Sequence, residues 1–234
     1  MSTYVLVHGA WHGAWCWKRV RAALEKQGHQ VLTPTLTGVA DRSHLASPHI
    51  NLDTHIADVA NLIRWEELSN VVLCGHSYGG CVISGAADRI ADRVGALVYL
   101  DAFLLENGQS LHDTLPAEMR DAQLDAARQN QDGWKVPPIP AEVFAVNEKD
   151  RAWVNRQCTP QPLATFQQPL HLTAEIDRID NVTFILADRW EPSPFPFFYE
   201  RAKTKGWKTR TLPCGHDAML DLPDELVREL LAAR

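Results

Sequence analysis

The sequence lacks an excess of positive charge, a long apolar run and an even set of cysteines. Its 234 residues include 23 lysines and arginines against 29 aspartates and glutamates, a formal net charge of −6. Proteins that bind nucleic acids neutralise phosphates with a basic surface, so we expect no nucleic acid partner. No apolar stretch approaches the ~18 residues that a membrane span needs, so we expect no membrane partner either.

The cysteines and the first residues predict the compartment. A predicted strand begins by residue 4, which leaves no room for a signal peptide in front of it. Scattered cysteines, odd in number, favour reduced thiols and a cytoplasmic location. The five are Cys16, Cys74, Cys81, Cys158 and Cys214. The sequence leaves a homodimer open.

Strand-like runs alternate with helical patterns along most of the chain. The strand-like runs are 3–8, 30–33, 70–75, 95–100, 182–187 and 208–213, and the helical patterns are 14–27, 53–66, 79–91, 194–205 and 223–233. This alternation predicts an α/β fold with a mainly parallel sheet and helices on both faces. The length and the 45% hydrophobic content fit one domain, residues 1–234. Ligands bind such sheets at the carboxyl ends of the strands.

Residues 105–180 interrupt the alternation. They are polar and helix-prone over 117–129 and proline-rich around 137–140. An insertion of this size, after the strand that ends near Leu100, is expected to lie over the carboxyl ends of the strands as a small helical cap. Aromatic side chains from the cap and the body could line an apolar substrate pocket, with packing inside the cap as the alternative role for each. The candidates are Trp134, Phe144, Trp153 and Phe166 from the cap and Trp11 and Trp190 from the body.

The segment Gly75-His76-Ser77-Tyr78-Gly79 follows the apolar run 71–74 and precedes a helical pattern. Glycines two residues before and two residues after a serine remove the side chains that would collide in a strained turn between strand and helix. Such a turn lifts the serine hydroxyl above the sheet. Ser77 is therefore the candidate nucleophile, and a surface serine in a glycine-rich turn is the alternative.

A histidine near the other end supplies the candidate base. His216 follows a β-prone run, 207–212, and precedes a terminal helical pattern. Serine is a weak nucleophile at neutral pH and needs an imidazole within hydrogen-bond reach to take its proton. His216 could fill that role, although a lone histidine in a loop is more often structural or solvated.

The first strand runs directly into Gly9-Ala10-Trp11-His12-Gly13. A tetrahedral intermediate needs two N–H donors for its oxyanion, one from the residue after the nucleophile and one from this first loop. We assign the backbone N–H groups of Tyr78 and Ala10. His8 and His12 are four residues apart, but they lie on a strand end and a loop, where this spacing does not bring two imidazoles onto one face. We therefore expect no metal.

These segments, together with Val-Tyr-Leu-Asp-Ala-Phe at 98–103 and Gly-His-Asp-Ala-Met at 215–219, resemble a known family. They are similar to the α/β-hydrolases related to plant methyl esterases and hydroxynitrile lyases. The resemblance covers nearly the whole chain and is weak between about 105 and 180. It implies the α/β-hydrolase fold with a small helical cap, and a serine carboxylesterase that uses no cofactor.

The catalytic acid departs from that family. In the plant enzymes it follows the strand that matches 182–187, and the count there falls on Trp190, so that Asp188 or Glu191 would serve only with a shifted loop. Asp101 directly follows the strand 96–100, where some haloalkane dehalogenases and cofactor-free quinolone dioxygenases place their acid. A carboxylate at the end of an adjacent strand can reach the far nitrogen of the same imidazole. We predict Asp101, with Glu191 and Asp188 as alternatives.

The sequence thus predicts hydrolysis of small to medium carboxylic esters through an acyl-enzyme. Hydroxynitrile lyases that resemble this chain carry a threonine at the position of Gly9 and, at the position of Asp217, a lysine that helps retain cyanide. Both residues are absent here, which disfavours lyase activity. Dehalogenation is disfavoured because it needs a carboxylate nucleophile. The alternatives are an enzyme like the hydroxynitrile lyases or the cofactor-independent dioxygenases on the same fold, or a ligand-binding protein that retains the triad.

Overall fold

Six strands, all paired in parallel, form the central sheet of the computed structural model, which describes residues 1–130 and 132–234. The strands are β1 (Thr3–Val7), β2 (Gln30–Leu32), β3 (Val71–His76), β4 (Val94–Leu100), β5 (Lys135–Val136), β6 (Gln161–Pro162), β7 (Val182–Ala187) and β8 (Lys208–Leu212). The order across the central sheet is β2-β1-β3-β4-β7-β8, and β5 pairs separately with β6 in antiparallel fashion. The expected parallel sheet is confirmed, and each predicted strand agrees with the structure to within one residue at either end.

Helices cover both faces of this sheet. They are α1 (Lys18–Lys26), α2 (Leu52–Trp65), α3 (Gly79–Arg89), α4 (Ala117–Gln129), α5 (Glu148–Gln157), α6 (Ala164–Gln167), α7 (Phe195–Thr204), α8 (Ala218–Asp221) and α9 (Pro223–Ala232). Successive side chains of a strand point to opposite faces, and every residue of β3 and β7 is buried, so neither face of the sheet is open to solvent there. Helix α1 packs against α9, and α2 packs against α3.

The segment between β4 and β7 includes residues 105–180, for which the sequence predicts a cap insertion. Helix α4 matches the expected 117–129, whereas α5, α6 and the short β5–β6 pair have no counterpart in the sequence prediction. The reason is visible in α5, where only Asp150 and Val154 are buried, one turn apart. Such a narrow stripe gives almost no hydrophobic periodicity to detect.

All five cysteines are free thiols, and four of them are buried. Burial raises the pKa of the Cys74 and Cys81 thiols, which flank the turn after β3. They pack as small apolar side chains in the core. Within residues 1–130 and 132–234, no helix has the length and apolar character needed to cross a membrane.

Candidate active site

Ser77 lies in a tight turn between β3 and α3, with its backbone in the left-handed region at φ +54°. Its N–H donates to Leu100 O at 3.2 Å, and its own carbonyl accepts from Phe103 N at 3.1 Å, so the turn is tied to the end of β4. The turn also requires Gly79, because a Cβ there would come within 2.8 Å of the carbonyl oxygens of Val7 and His8. Ser77 remains partly exposed.

His216 lies in the loop after β8, and its ring is held by Asp101 at the end of β4. Nδ1 of His216 donates to Oδ2 of Asp101 at 2.6 Å. Two further N–H groups donate to the same carboxylate, from the Ala187 backbone and from the Trp190 indole, both at 3.1 Å. Burial raises the pKa of Asp101, and these two donors oppose that rise because they favour the ionised form. With Nδ1 committed to Asp101, Nε2 is left to face the cavity.

Aromatic rings enclose the His216 imidazole. Phe195 stacks on it at 5.1 Å between centroids, and Trp190 and Phe144 flank it at 4.9 and 5.2 Å. This burial lowers the pKa of His216 to about 4; the nearby Asp217 charge works against the shift and His12 adds to it. The ring is therefore neutral at pH 7, which is the state that can accept a proton.

The two alternative acids lie elsewhere. Asp188 and Glu191 are exposed in the loop after β7, and Asp188 lies 3.3 Å from the guanidinium of Arg189. Trp190 stands between them in sequence, but its side chain points inward to Asp101. The structure therefore brings His216 together with Asp101 and with neither alternative.

The loop after β1 holds Ala10 beside Ser77 and Tyr78 in the wall of one cavity. Tyr78 is the cap residue of α3, so its N–H has no acceptor inside the helix. The carbonyl of Ala10 accepts from Nδ1 of His12 at 2.8 Å, and the next N–H, that of Trp11, donates to Gln161 Oε1 at 3.2 Å. The peptide group between Ala10 and Trp11 is thus fixed at both of its polar atoms.

His12 and Asp217 form a buried ion pair that connects this loop to the His216 loop. Nε2 of His12 donates to Oδ2 of Asp217 at 3.0 Å, while Nδ1 donates to Ala10. Because both partners are acceptors, the ring carries two protons and a positive charge. Burial alone would lower the pKa of His12, but the facing carboxylate outweighs this and raises it. The same contact holds the pKa of Asp217 below its ordinary value in spite of burial.

Three further buried histidines brace the site in the neutral form. Nε2 of His76 donates to His216 O at 3.0 Å. Nδ1 of His8 donates to Gly9 O, and its Nε2 accepts from Leu36 N. His55 accepts from the Tyr78 hydroxyl at 2.9 Å. Burial lowers the pKa of all three, to about 3 for His8 and about 4 for His55. No cluster arranged to hold a metal occurs among the described residues.

Ser77 and His216 open onto a cavity of about 160 Å³ whose walls are largely apolar. Residues of the segment between β4 and β7 and of the loop after β7 contribute to its walls. The lining residues are Ala10, Trp11, Ser77, Tyr78, Phe103, Leu111, Leu115, Met119, Gln123, Ile139, Val143, Phe144, Phe166, Trp190, Pro192, Pro194, Phe195 and His216.

Four of the six aromatic candidates lie in this wall, namely Trp11, Phe144, Phe166 and Trp190. The structure places the other two away from it. Trp153 packs edge-on against Trp15 at 5.0 Å, and Trp134 lies under the ammonium group of Lys135 at 4.7 Å. Trp153 thus takes the alternative role of packing, since it lies against the core.

The sequence matches the α/β-hydrolase family over residues 4–229, and the chain belongs to that family. It is 49% identical, over 99% of both chains, to the carbendazim hydrolyzing esterase of Nocardioides sp. strain SG-4G. It is 31% identical to the putative chloroplastic methylesterase 13 of Arabidopsis thaliana over 73% of this chain and 41% of that protein. These relatives bear out the expected resemblance, and the chain is a carboxylic ester hydrolase.

Solved structures support the fold. An extracellular α/β-hydrolase from a Paenibacillus species superposes with a TM-score of 0.87 at 22% identity, covering 100% of this chain and 99% of that one. At this level of identity the likeness concerns architecture alone.

Proposed function

We propose that the protein hydrolyses small carboxylic esters with Ser77 as nucleophile, His216 as general base and Asp101 as the residue that orients His216. One observation carries this proposal. Ser77 and His216 open onto the same cavity while the Asp101 carboxylate, 2.6 Å away, fixes the far nitrogen of the imidazole. That arrangement supplies the three groups that acyl transfer from an ester to a serine requires.

In the proposed reaction, Ser77 Oγ attacks the ester carbonyl carbon as its proton passes to Nε2 of His216. The N–H groups of Ala10 and Tyr78 stabilise the oxyanion. Collapse of the tetrahedral intermediate breaks the bond to the alkoxy oxygen, which leaves as the alcohol with the proton from His216. Water then attacks the acyl-enzyme with His216 as base, releasing the acid and restoring Ser77.

The cavity limits the substrate. At about 160 Å³ it is similar in size to the cavity of about 150 Å³ that accepts benzene in another protein. An acid portion of about one ring, joined to a small alcohol, is the size that fits. The names of the relatives indicate methyl esters and carbendazim as the first compounds to assay.

The test compares wild type with Ser77→Ala on a panel of methyl esters, p-nitrophenyl acetate and carbendazim. We expect turnover of at least one compound and a loss on the order of 10⁴- to 10⁶-fold in kcat for the variant. Residual activity within tenfold of wild type would refute Ser77 as the nucleophile. Absence of turnover above the uncatalysed rate for wild type on every compound would favour a ligand-binding protein that retains the triad.

We also propose a cytoplasmic location. The five free cysteines support it, since reduced thiols persist where disulfides do not form. Fractionation of the source cells, followed by activity staining, tests this assignment.

A further inference from the structure

The wall of the cavity contains few polar side-chain atoms that are free to meet a substrate. Among the described lining residues, three aromatic side chains carry an N–H or O–H, and each has a protein partner. Trp11 Nε1 donates to Val136 O, the Trp190 indole donates to Asp101, and the Tyr78 hydroxyl donates to His55. Apart from the reacting groups Ser77 and His216, the polar side chain that remains in this wall is Gln123.

Gln123 lies on α4, between β4 and β7, whereas Ser77 follows the carboxyl end of β3. Gln123 comes one turn after Met119, and both residues contribute to the cavity wall. The same face of α4 therefore faces the cavity. Gln123 is half-buried. Gln123 therefore reaches the cavity wall from a different part of the fold than Ser77, which allows it to contact a substrate group other than the ester carbonyl.

A neighbouring histidine orients the Gln123 amide. Nε2 of His112 donates to Gln123 Oε1 at 3.0 Å, and burial lowers the pKa of His112, so the ring is neutral and carries a single proton. His112 is itself buried, 6.0 Å from the Phe166 ring, which also lines the cavity. With the amide oxygen engaged by His112, the amide NH₂ group is the part of Gln123 left for the cavity.

An N–H group facing an apolar cavity favours a ligand that brings an acceptor to it, because an unpaired polar group loses its hydration without compensation. Pockets for small molecules commonly combine apolar walls with a few polar groups that fix orientation. We propose that Gln123 is a specificity-determining residue that donates a hydrogen bond to an acceptor on the substrate end remote from the ester. This inference rests on the proposed ester hydrolysis.

Matched methyl esters test the assignment. Methyl isonicotinate differs from methyl benzoate by a ring nitrogen, and methyl p-acetylbenzoate differs from methyl p-isopropylbenzoate by a carbonyl. The readout is the kcat/KM ratio within each pair for wild type, Gln123→Leu and Gln123→Glu. Comparing ratios between proteins cancels the difference in intrinsic reactivity between the esters. Methyl p-aminobenzoate serves as the ester with a donor in place of an acceptor.

We expect wild type to favour the acceptor ester of at least one pair about fivefold to tenfold more than Gln123→Leu does, the worth of one neutral hydrogen bond. Gln123→Glu, which offers only acceptor oxygens when ionised, should lower the ratio further. Gln129→Leu, the same substitution at an exposed position of α4, should keep the wild-type ratio.

Unchanged ratios in Gln123→Leu for both pairs would overturn the inference, and so would a wild-type preference, lost in this variant, for the donor ester. Ser77→Ala is measured in parallel to separate the two proposals. If Ser77→Ala matches wild type on every ester, ester hydrolysis through Ser77 fails and the role of Gln123 with it. If Ser77→Ala is inactive and the ratios do not respond to position 123, only the role of Gln123 fails.

Discussion

The Asp101 carboxylate at the end of β4 lies 2.6 Å from Nδ1 of His216 in the loop after β8, although β7 separates these two strands in the sheet. The Asp101 backbone adopts a left-handed conformation, at φ +41°. Ser77 and Trp11 share this rare geometry at +54° and +64°. Left-handed non-glycine residues concentrate where function requires strain. Here Ser77 and Trp11 line the cavity, and Asp101 holds the His216 ring that also lines it.

The first prediction concerns the acid. Asp101→Asn keeps the shape of the side chain but favours the wrong imidazole tautomer and removes the charge opposite the developing imidazolium. We expect kcat to fall on the order of 10³- to 10⁴-fold with little change in KM. Glu191→Gln and Asp188→Asn, both exposed, should stay within about tenfold of wild type. Steady-state kinetics on one ester measure this ranking. The reverse ranking would assign the role of catalytic acid to a residue of the loop after β7.

The second prediction concerns the pH dependence of kcat/KM. His216 must be neutral to accept the Ser77 proton, and burial lowers its pKa to about 4. Activity should therefore rise with pH along a limb whose midpoint lies below ~6.5, the value for a free imidazole. Rates are taken over short times, with circular dichroism at each pH to show that the fold persists. A midpoint at or above ~6.5 would contradict the effect of burial on His216.

The third prediction concerns stability in acid. His8, His55, His76 and His216 are buried and neutral with lowered pKa values, so the unfolded chain binds protons below pH ~6.5 that the folded chain does not. The free energy of unfolding should fall as pH drops from ~6.5 toward ~4, by up to about 1.4 kcal/mol per pH unit for each histidine.

Urea titrations across this range measure that slope. His12 acts in the opposite sense, since its raised pKa stabilises the fold below ~6.5 and that contribution disappears as pH rises through the folded value. Asp217, with a lowered pKa, contributes above ~3.9 and loses its contribution in stronger acid. His44→Gln, a substitution of an exposed histidine, is measured in parallel as the control. A flat profile between pH ~6.5 and ~5 would show that the buried histidines do not govern acid stability.

The fourth prediction concerns Gly9. A Cβ at this position would lie 2.8 Å from Ser77 Cβ and 3.0 Å from Nδ1 of His76, so alanine must displace the nucleophile or the loop that carries Ala10. A shift of about 1 Å can cost on the order of 100-fold in rate, and we expect kcat of Gly9→Ala to fall by that order. Gly108→Ala meets no atom within 4 Å and should retain activity, although alanine at its φ of +84° lowers stability. Equal kcat for the two variants would show that catalysis does not require the absence of a side chain at position 9.

The sequence predicted the elements whose signals are local. The strands are short runs of apolar or β-branched residues with turn residues nearby. Ser77 and Asp101 directly follow β3 and β4, and His216 lies in the loop after β8. Parallel strands bring their carboxyl ends to one edge of a sheet, so the position of each residue relative to its strand was enough to group the three.

Contacts between distant segments had no such signal. The His12–Asp217 ion pair joins residues 205 positions apart, and no pattern around either one predicts a buried charge. The positions of the aromatic side chains of residues 105–180 depend on how this segment folds, and its short elements have no detectable periodicity. This is why Trp153 and Phe166 look alike in the sequence and take different places in the structure.

The central claim is that Ser77 carries the acyl group, and covalent trapping tests it most directly. The protein is treated with a p-nitrophenyl alkylphosphonate, and the adduct is measured by intact mass and located by peptide mapping. We predict one phosphonyl group per chain, on Ser77, forming in step with the loss of esterase activity, and no adduct on Ser77→Ala. Complete inactivation with Ser77 unmodified, or an adduct on another residue that alone accounts for the lost activity, would contradict the account.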